Sequence, residues 1–239
     1  MIDNPNPPSA PNLRQFNNLK DKINALIILC AVLTVAVIAN LYFTFRLATT
    51  PQIPQETFIS GSTIPAGIKH NGLALGEDNA PVTVEMFSDF QCPYCKQADT
   101  TVIPQLISTY VTTGKVKFVY RPFNFLGQES YDAAQAAYCA NEQGKFWEYK
   151  EALFSNQEGE NQGGFKHSRL LAMGQFVELD TPQFTACIQS NKYASQVQKD
   201  TQAGAARGVQ GTPTFFVNGK VLKDNSQASL FQAIDTAVQ

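Results

Sequence analysis

Histidine is nearly absent from this chain: it has only His70 and His167, far apart in sequence. A structural zinc wants four ligands, from two Cys-x-x-Cys pairs or one pair with added histidines, so this scarcity argues against a metal. No catalytic triad and no phosphate-binding glycine loop is present either, and no cofactor is expected. Charge is sparse and balanced, with 18 basic and 20 acidic residues for a net charge of −2, so no basic excess points to nucleic acid.

Charge is missing altogether from Ile23 to Phe45. A run of about twenty apolar residues crosses a bilayer as a helix, and Tyr42 near its end suits the interface. Arg14, Lys20 and Lys22 precede the run and only Arg46 follows closely, which keeps the short N-terminal side in the cytoplasm. A cleaved signal peptide is the alternative; the long leader and the length of the apolar run count against it. A buried helix of a soluble domain would need a polar face, which is lacking. Residues 1–22, rich in Pro and Asn toward the start, read as a disordered cytoplasmic tail. Residues 46–71, with Pro51, Pro54, Gly61, Pro65 and Gly67, read as a stalk. Residues 72–239 are then one folded domain outside the cytoplasm, attached to the membrane through residues 23–45.

Of the five cysteines, Cys92 and Cys95 form a Cys-x-x-Cys pair. The β-branched and aromatic run Val82-Thr83-Val84-Glu85-Met86-Phe87 leads into it as a buried strand, and Pro93 opens a helix after it. Cys92 therefore stands at a helix N-terminus, where unpaired N–H groups and the helix dipole favour a thiolate. Lowering a thiol pKa from about 8.5 to about 7 corresponds to roughly 2 kcal/mol of preference for the anion. Cys95, one turn on, is placed to attack a mixed disulfide on Cys92. Half a zinc site and a purely structural bridge are the other readings, and a bridge over so short a loop adds little stability. Cys30 lies in the apolar run and reads as a packing residue.

The rest of the domain alternates. A helix covers 96–111 with a kink or restart expected at Pro104, and a second strand runs Lys115 to Tyr120. From 130 to 154 the pattern is helical with a break at Gly144, and 156–164 reads as loop. Ser168 is a plausible N-cap for a helix over 170–176. Further helices are expected from Thr181 or Pro182 through Cys187 and over 192–206. Asn218-Gly219 between apolar runs signals a hairpin, and 228–238 closes the chain as a helix. This order is an α/β layered domain with a helical insertion at about 128–207.

Ser88-Asp89-Phe90-Gln91-Cys92-Pro93-Tyr94-Cys95, Tyr138-Cys139-Ala140 with Gln143-Gly144-Lys145-Phe146-Trp147-Glu148, and Gly211-Thr212-Pro213-Thr214-Phe215-Phe216-Val217-Asn218-Gly219 together resemble the DsbA-like thiol–disulfide oxidoreductases of the thioredoxin superfamily. The closest kind is the membrane-anchored bacterial one. The resemblance covers residues 72–239 and implies a thioredoxin-like fold. It implies that Cys92 attacks, that Cys95 resolves, and that Pro93 and Tyr94 are the motif's middle residues. It also implies that Thr212-Pro213 is a cis peptide bond packed on the pair, pairing with an extended substrate; the residues alone equally allow a strand-start proline. Cys139 and Cys187 fall in the inserted helices. They form a structural disulfide if the domain faces an oxidising compartment, or remain two buried thiols. One departure stands out. The family often carries a buried acid in the strand before the motif, a position that here falls on Met86, with Glu85 one residue earlier. A one-residue offset turns the side chain to the opposite face, so only a bulge would bring Glu85 beneath the pair. Asp89 reads as a turn carboxylate, and Trp147 as helix packing.

Three functions are consistent with these residues. The first is oxidation of cysteine pairs in exported, reduced or unfolded proteins, with a quinone-linked membrane protein as the reoxidising partner that the resemblance implies. The second is reduction or isomerisation on the same fold, since Pro93-Tyr94 supplies no histidine beside Cys92. The third is a tethered binding module without turnover.

Overall fold

The computed structural model describes residues 13–49, 58–59, 64–65 and 67–239. The chain divides into two compact units, meeting between Gln52 and Ile53. In the first, α1 (Leu13–Thr49) is a single helix. Its segment Lys22–Phe45 has mean hydropathy 2.6, no buried residue, and length enough to cross a membrane. The reading of 1–22 as disordered is corrected over 13–22, which continue the helix. Extending a formed helix costs far less than starting one, and Leu19, Lys20 and Lys22 are good helix formers. Residues 1–12 lie outside the described ones.

The stalk expected over 46–71 is also shorter at both ends. Residues 46–49 belong to α1, and β1 (His70–Asn71) already pairs with β2 (Ala74–Leu75). Phe58 is buried against Phe176, with ring centroids 5.8 Å apart. Residues 50–57, 60–63 and 66 lie outside the described ones.

In the second unit β3 (Val82–Ser88) runs into α2 (Pro93–Leu106), a π-helical turn (Ile107–Val111) and β4 (Val116–Pro122). Five helices follow: α3 (Gln128–Asn141), α4 (Phe146–Ser155), α5 (His167–Phe176), α6 (Thr181–Gln189) and α7 (Ala194–Ala206). The hairpin β5 (Thr214–Val217) and β6 (Lys220–Val221) then leads to α8 (Gln227–Val238). Asn218 and Gly219 both take positive φ, +48° and +76°, as a two-residue hairpin turn requires. The sheet order is β1-β2-β4-β3-β5-β6, with β3 parallel to β4 and antiparallel to β5.

Pro104 lies inside α2 without a restart, and a π-helical turn follows from Ile107. One expectation at a helix boundary is corrected. α5 starts at His167, with Lys166 rather than Ser168 as its N-cap. Leu170 N donates to Lys166 O at 3.1 Å, which puts Ser168 inside the first turn.

Central β3 sorts its residues by face. Val84 and Met86 stand beside Phe118 and Tyr120 of β4 and Val217 and Phe215 of β5, all in the main core. Phe87 and Phe216 turn the other way and join Phe123 and Val209 in a second cluster. α7 covers that second face closely: a Cβ on Gly204 would lie 2.6 Å from Phe123 Cδ2. The disulfide Cys139–Cys187 ties α3 to α6, with the Cα atoms 5.9 Å apart.

Candidate active site

β3 ends at Ser88, and the next residues are held in place by Asp89. Its buried carboxylate accepts from Gln91 N at 2.8 Å, Phe125 N at 3.0 Å, Leu126 N at 3.2 Å and Ser130 Oγ at 2.5 Å. With those bonds Asp89 fastens the turn to the segment after β4 and to α3, which is the work of a turn carboxylate. Gln91 adds a bond from its side-chain amide to Ser130 Oγ at 2.8 Å. The chain then enters α2 with Cys92 as N-cap and Pro93 in the first turn.

The loop after α4 closes over this turn. Gln157 Nε2 donates to Phe90 O at 2.7 Å and to Cys92 O at 3.1 Å. Asn161 N donates to Gln91 Oε1 at 2.5 Å. The sequence marked 156–164 only as polar loop, because nothing local in Gln157 or Asn161 signals contacts to a segment so far upstream.

Cys92 and Cys95 are both free thiols, and both are buried. Pro93 and Tyr94 between them are exposed, Tyr94 to 68%. The Thr212–Pro213 bond is cis, and pairing of β5 with the end of β3 brings it to the pair. Cys92 Sγ lies 3.3 Å from Thr212 O, to which its thiol form donates.

The two thiols are driven apart in acidity. Cys92 is lowered to about 6, first by a hydrogen bond from the Cys95 thiol. Burial opposes this, while Thr212 and the backbone N–H groups of Cys95 and Tyr94 add to it. Those N–H groups are the unpaired donors of the helix start. Cys95 is pushed well up, first by burial and then by Cys92, against smaller opposing effects of Ser88 and Thr212. Cys92 is thus the thiolate near neutral pH and Cys95 the thiol.

This division sets a pH dependence. Trapping of Cys92 by iodoacetamide is expected to reach half its maximal rate near pH 6, below the roughly 8.5 of an ordinary cysteine. The folded pKa is lowered, so the thiolate's stabilisation of the reduced protein is full above the ordinary thiol range. It is lost as pH falls through about 6. A rate that kept rising to the ordinary thiol range would contradict this.

Glu85 does not lie beneath the pair. β3 has no bulge: its register to β4 runs unbroken from Val82↔Val116 to Ser88↔Pro122. Met86 is fully buried on the face of the main core, and Glu85 takes the other face. There it meets Arg207 Nη2 at 2.6 Å and Arg121 Nε at 2.8 Å. Arg207 foremost holds its carboxyl below the usual range, against burial, with help from Arg121.

A buried acid is present from another direction. Asp99, one helical turn after Cys95, pairs with Lys150 of α4, and Lys150 Nζ also lies 2.9 Å from Glu151 Oε1. Lys150 and Asp99 side chains are 1% and 2% exposed. Burial disfavours the Lys150 charge, yet Asp99 and Glu151 outweigh it and raise the ammonium pKa. Sequence reading missed this pair, although a lysine among Phe146, Trp147, Tyr149, Ala152, Leu153 and Phe154 was a signal that could have found it. Among the described residues no group of three or more His, Cys, Asp or Glu side chains could hold a metal ion.

The thioredoxin family profile matches residues 69–236. The probable disulfide bond formation protein D of Bacillus cereus is 32% identical over 166 residues, 68% of this chain and 76% of that protein. The disulfide bond formation protein D of Bacillus subtilis is 32% identical over 153 residues, covering 63% and 69%. Among solved structures, oxidised BdbD from Bacillus subtilis matches with a TM-score of 0.65 and 28% identity, over 77% of this chain and 99% of that one. DsbA from Chlamydia trachomatis shares the fold at a TM-score of 0.61 and 21% identity, over 77% and 96%. A buried Cys-x-x-Cys pair of split acidity, set on this fold and among these relatives, makes the chain a member of the thioredoxin family, as a DsbA-like thiol–disulfide oxidoreductase.

Proposed function

We propose that the protein oxidises cysteine pairs of exported proteins, through a disulfide between Cys92 and Cys95 and a mixed disulfide on Cys92. The observation that carries this reading is the split in acidity, with Cys92 lowered to about 6 and Cys95 raised well above the ordinary range. A stabilised thiolate is a good leaving group and favours the reduced enzyme, which makes the oxidised enzyme a disulfide donor. A substrate thiolate attacks Cys92 Sγ, the Cys92–Cys95 bond breaks, and its electron pair goes to Cys95 Sγ with one proton. A second substrate thiolate attacks the substrate sulfur of the mixed disulfide. The substrate disulfide forms and Cys92 leaves as the thiolate, so two electrons have passed to the enzyme.

Thr212 and Pro213 border the pair and would meet the substrate backbone, with exposed Tyr94 beside them. Cys139–Cys187 serves as the structural bridge. The apolar segment of α1 anchors the protein in a single pass, with the N-terminus in the cytoplasm and the catalytic domain outside. A quinone-linked membrane protein accepts the electrons and restores the disulfide.

The test is the reduction potential of the Cys92–Cys95 pair in the full chain, equilibrated in thiol buffers with Cys30 replaced by Ser and thiols counted by mass. A value toward about −120 mV, as for DsbA, is expected; one near about −270 mV, as for thioredoxin, would assign a reductase instead. A pair that never cycled would leave a tethered binding module.

A further inference from the structure

We propose that Gln157 is a positioning residue for Cys92, and that Phe58 and Ile59 of the stalk hold it in place through the neighbouring Asn156. The inference rests on Cys92 being the attacking sulfur, as assigned above. It makes the segment between α1 and the sheet a working part of the site.

Three consecutive residues after α4 face two ways. Asn156 is the C-cap of α4, and its Nδ2 donates to Ala152 O at 2.8 Å. The same side-chain amide takes both backbone groups of Ile59. Ile59 N donates to Asn156 Oδ1 at 3.0 Å, and Asn156 Nδ2 donates to Ile59 O at 3.2 Å. An amide that offers one acceptor and one donor to a single residue fixes that residue in register. Gln157 turns to the site, donating through Nε2 to Phe90 O at 2.7 Å and to Cys92 O at 3.1 Å. Glu158 returns to the stalk by way of Arg169, whose Nη1 lies 2.7 Å from Glu158 Oε1. The Arg169 guanidinium in turn lies over the Phe58 ring, 5.8 Å from its centroid, and Phe58 is buried against Phe176.

The far end of this loop has fastenings of its own. Asn161 binds Gln91 and Leu126, and Glu129 of α3 accepts from Gly163 N and Phe165 N, both at 2.7 Å. The near end, residues 156–158, is fastened by the α4 C-cap and by the stalk. Docking of residues 58–59 therefore sets where Gln157 lies.

What Gln157 fixes is the direction of the Cys92 carbonyl, which also accepts the first helical bond, from Lys96 N at 3.1 Å. Cys92 is the N-cap, so that direction sets how α2 leaves the sulfur and how the Tyr94 and Cys95 N–H groups lie on it. The amide hydrogens of Gln157 also engage the negative ends of two carbonyl dipoles beside the thiolate. Without them both effects weaken, and the anion is less favoured.

The experiment uses the full chain with Cys30→Ser, the catalytic pair reduced and Cys139–Cys187 intact. Alkylation of Cys92 by iodoacetamide is followed by mass across the acid and neutral range. Gln157→Leu removes both donated bonds. It is expected to slow the reaction at least about threefold near pH 6, where the thiolate is only partly formed. Near pH 9 the loss should be less than about twofold, because the thiolate is then formed in either protein. Phe58→Ala leaves the loop's sequence intact and should act in the same direction, while Phe58→Leu keeps an apolar anchor and should restore most of the rate. Phe58→Ala combined with Gln157→Leu should be no slower than Gln157→Leu alone, since the stalk acts through Gln157. If Gln157→Leu does not fold, the two Phe58 variants decide. Profiles that superimpose on the parent overturn the proposal. So does a loss equal at every pH, which a change of access alone would give, and so do losses that multiply in the double variant. A parent Cys92 that reacts only in the ordinary thiol range would instead strike the assignment on which the proposal rests.

Discussion

Cys95→Ser in the full chain is expected to leave Cys92 covalently tied to its substrate. The Cys92 thiolate attacks a disulfide of an oxidised partner protein and displaces one of its sulfurs as a thiolate. With no thiol at position 95 nothing inside the protein can attack the mixed disulfide so formed, and the serine hydroxyl is left as the donor in place of the Cys95 thiol that most lowers Cys92. Non-reducing electrophoresis of membranes from cells carrying the variant should show adducts that disappear on reduction. Turnover in a reduced-peptide oxidation assay should fall by roughly three orders of magnitude or more, the scale of losing a nucleophile that acts as part of a unit. Cys92→Ser should abolish both adducts and turnover. Adducts that persisted in Cys92→Ser would place the attacking sulfur elsewhere and overturn the site.

The second large effect is on stability. Lys150→Met removes the cation from a pocket that still holds Asp99, whose side chain is 2% exposed. Breaking a buried ion pair from one side costs about 3–5 kcal/mol, because the remaining charge has lost its partner. The urea midpoint of the reduced protein should fall accordingly. The double variant Asp99→Leu with Lys150→Met replaces both charges by apolar groups and should recover most of the loss. If the single variant unfolds like the parent, the pair is not buried in solution.

Legibility followed how local each signal was. The Cys-x-x-Cys pair, the strand before it and Asn218-Gly219 are short patterns whose meaning is carried by neighbouring residues. The fold's central elements were read from them. Glu85 shows the limit of a simple rule: period-two alternation turns it away from the pair unless a bulge intervenes, and only the unbroken register decides between the two. What escaped were arrangements made by distant partners. Lys150 meets Asp99 across 51 residues and Gln157 meets Cys92 across 65. No periodicity encodes either pairing. β1 and β2, two residues each, carry too few side chains for alternation to appear. The helix over 13–22 was hidden because Pro and Asn at the start of the chain coloured the reading of everything before the apolar run.

The Cys139–Cys187 bridge has a consequence for how such an enzyme survives its own trade. A protein that exchanges disulfides meets reactive thiolates at every turnover, and a thiolate must approach along the line of the S–S bond. Cys139 and Cys187 are 1% and 6% exposed and Cys92 and Cys95 are 4% and 0%, so burial does not distinguish the two pairs, although an exposed Pro93-Tyr94 rim adjoins the catalytic one. The two pairs are thus set apart by chemistry rather than by burial: Cys92 stands at a helix start that favours it as a leaving thiolate, while Cys139–Cys187 links α3 to α6.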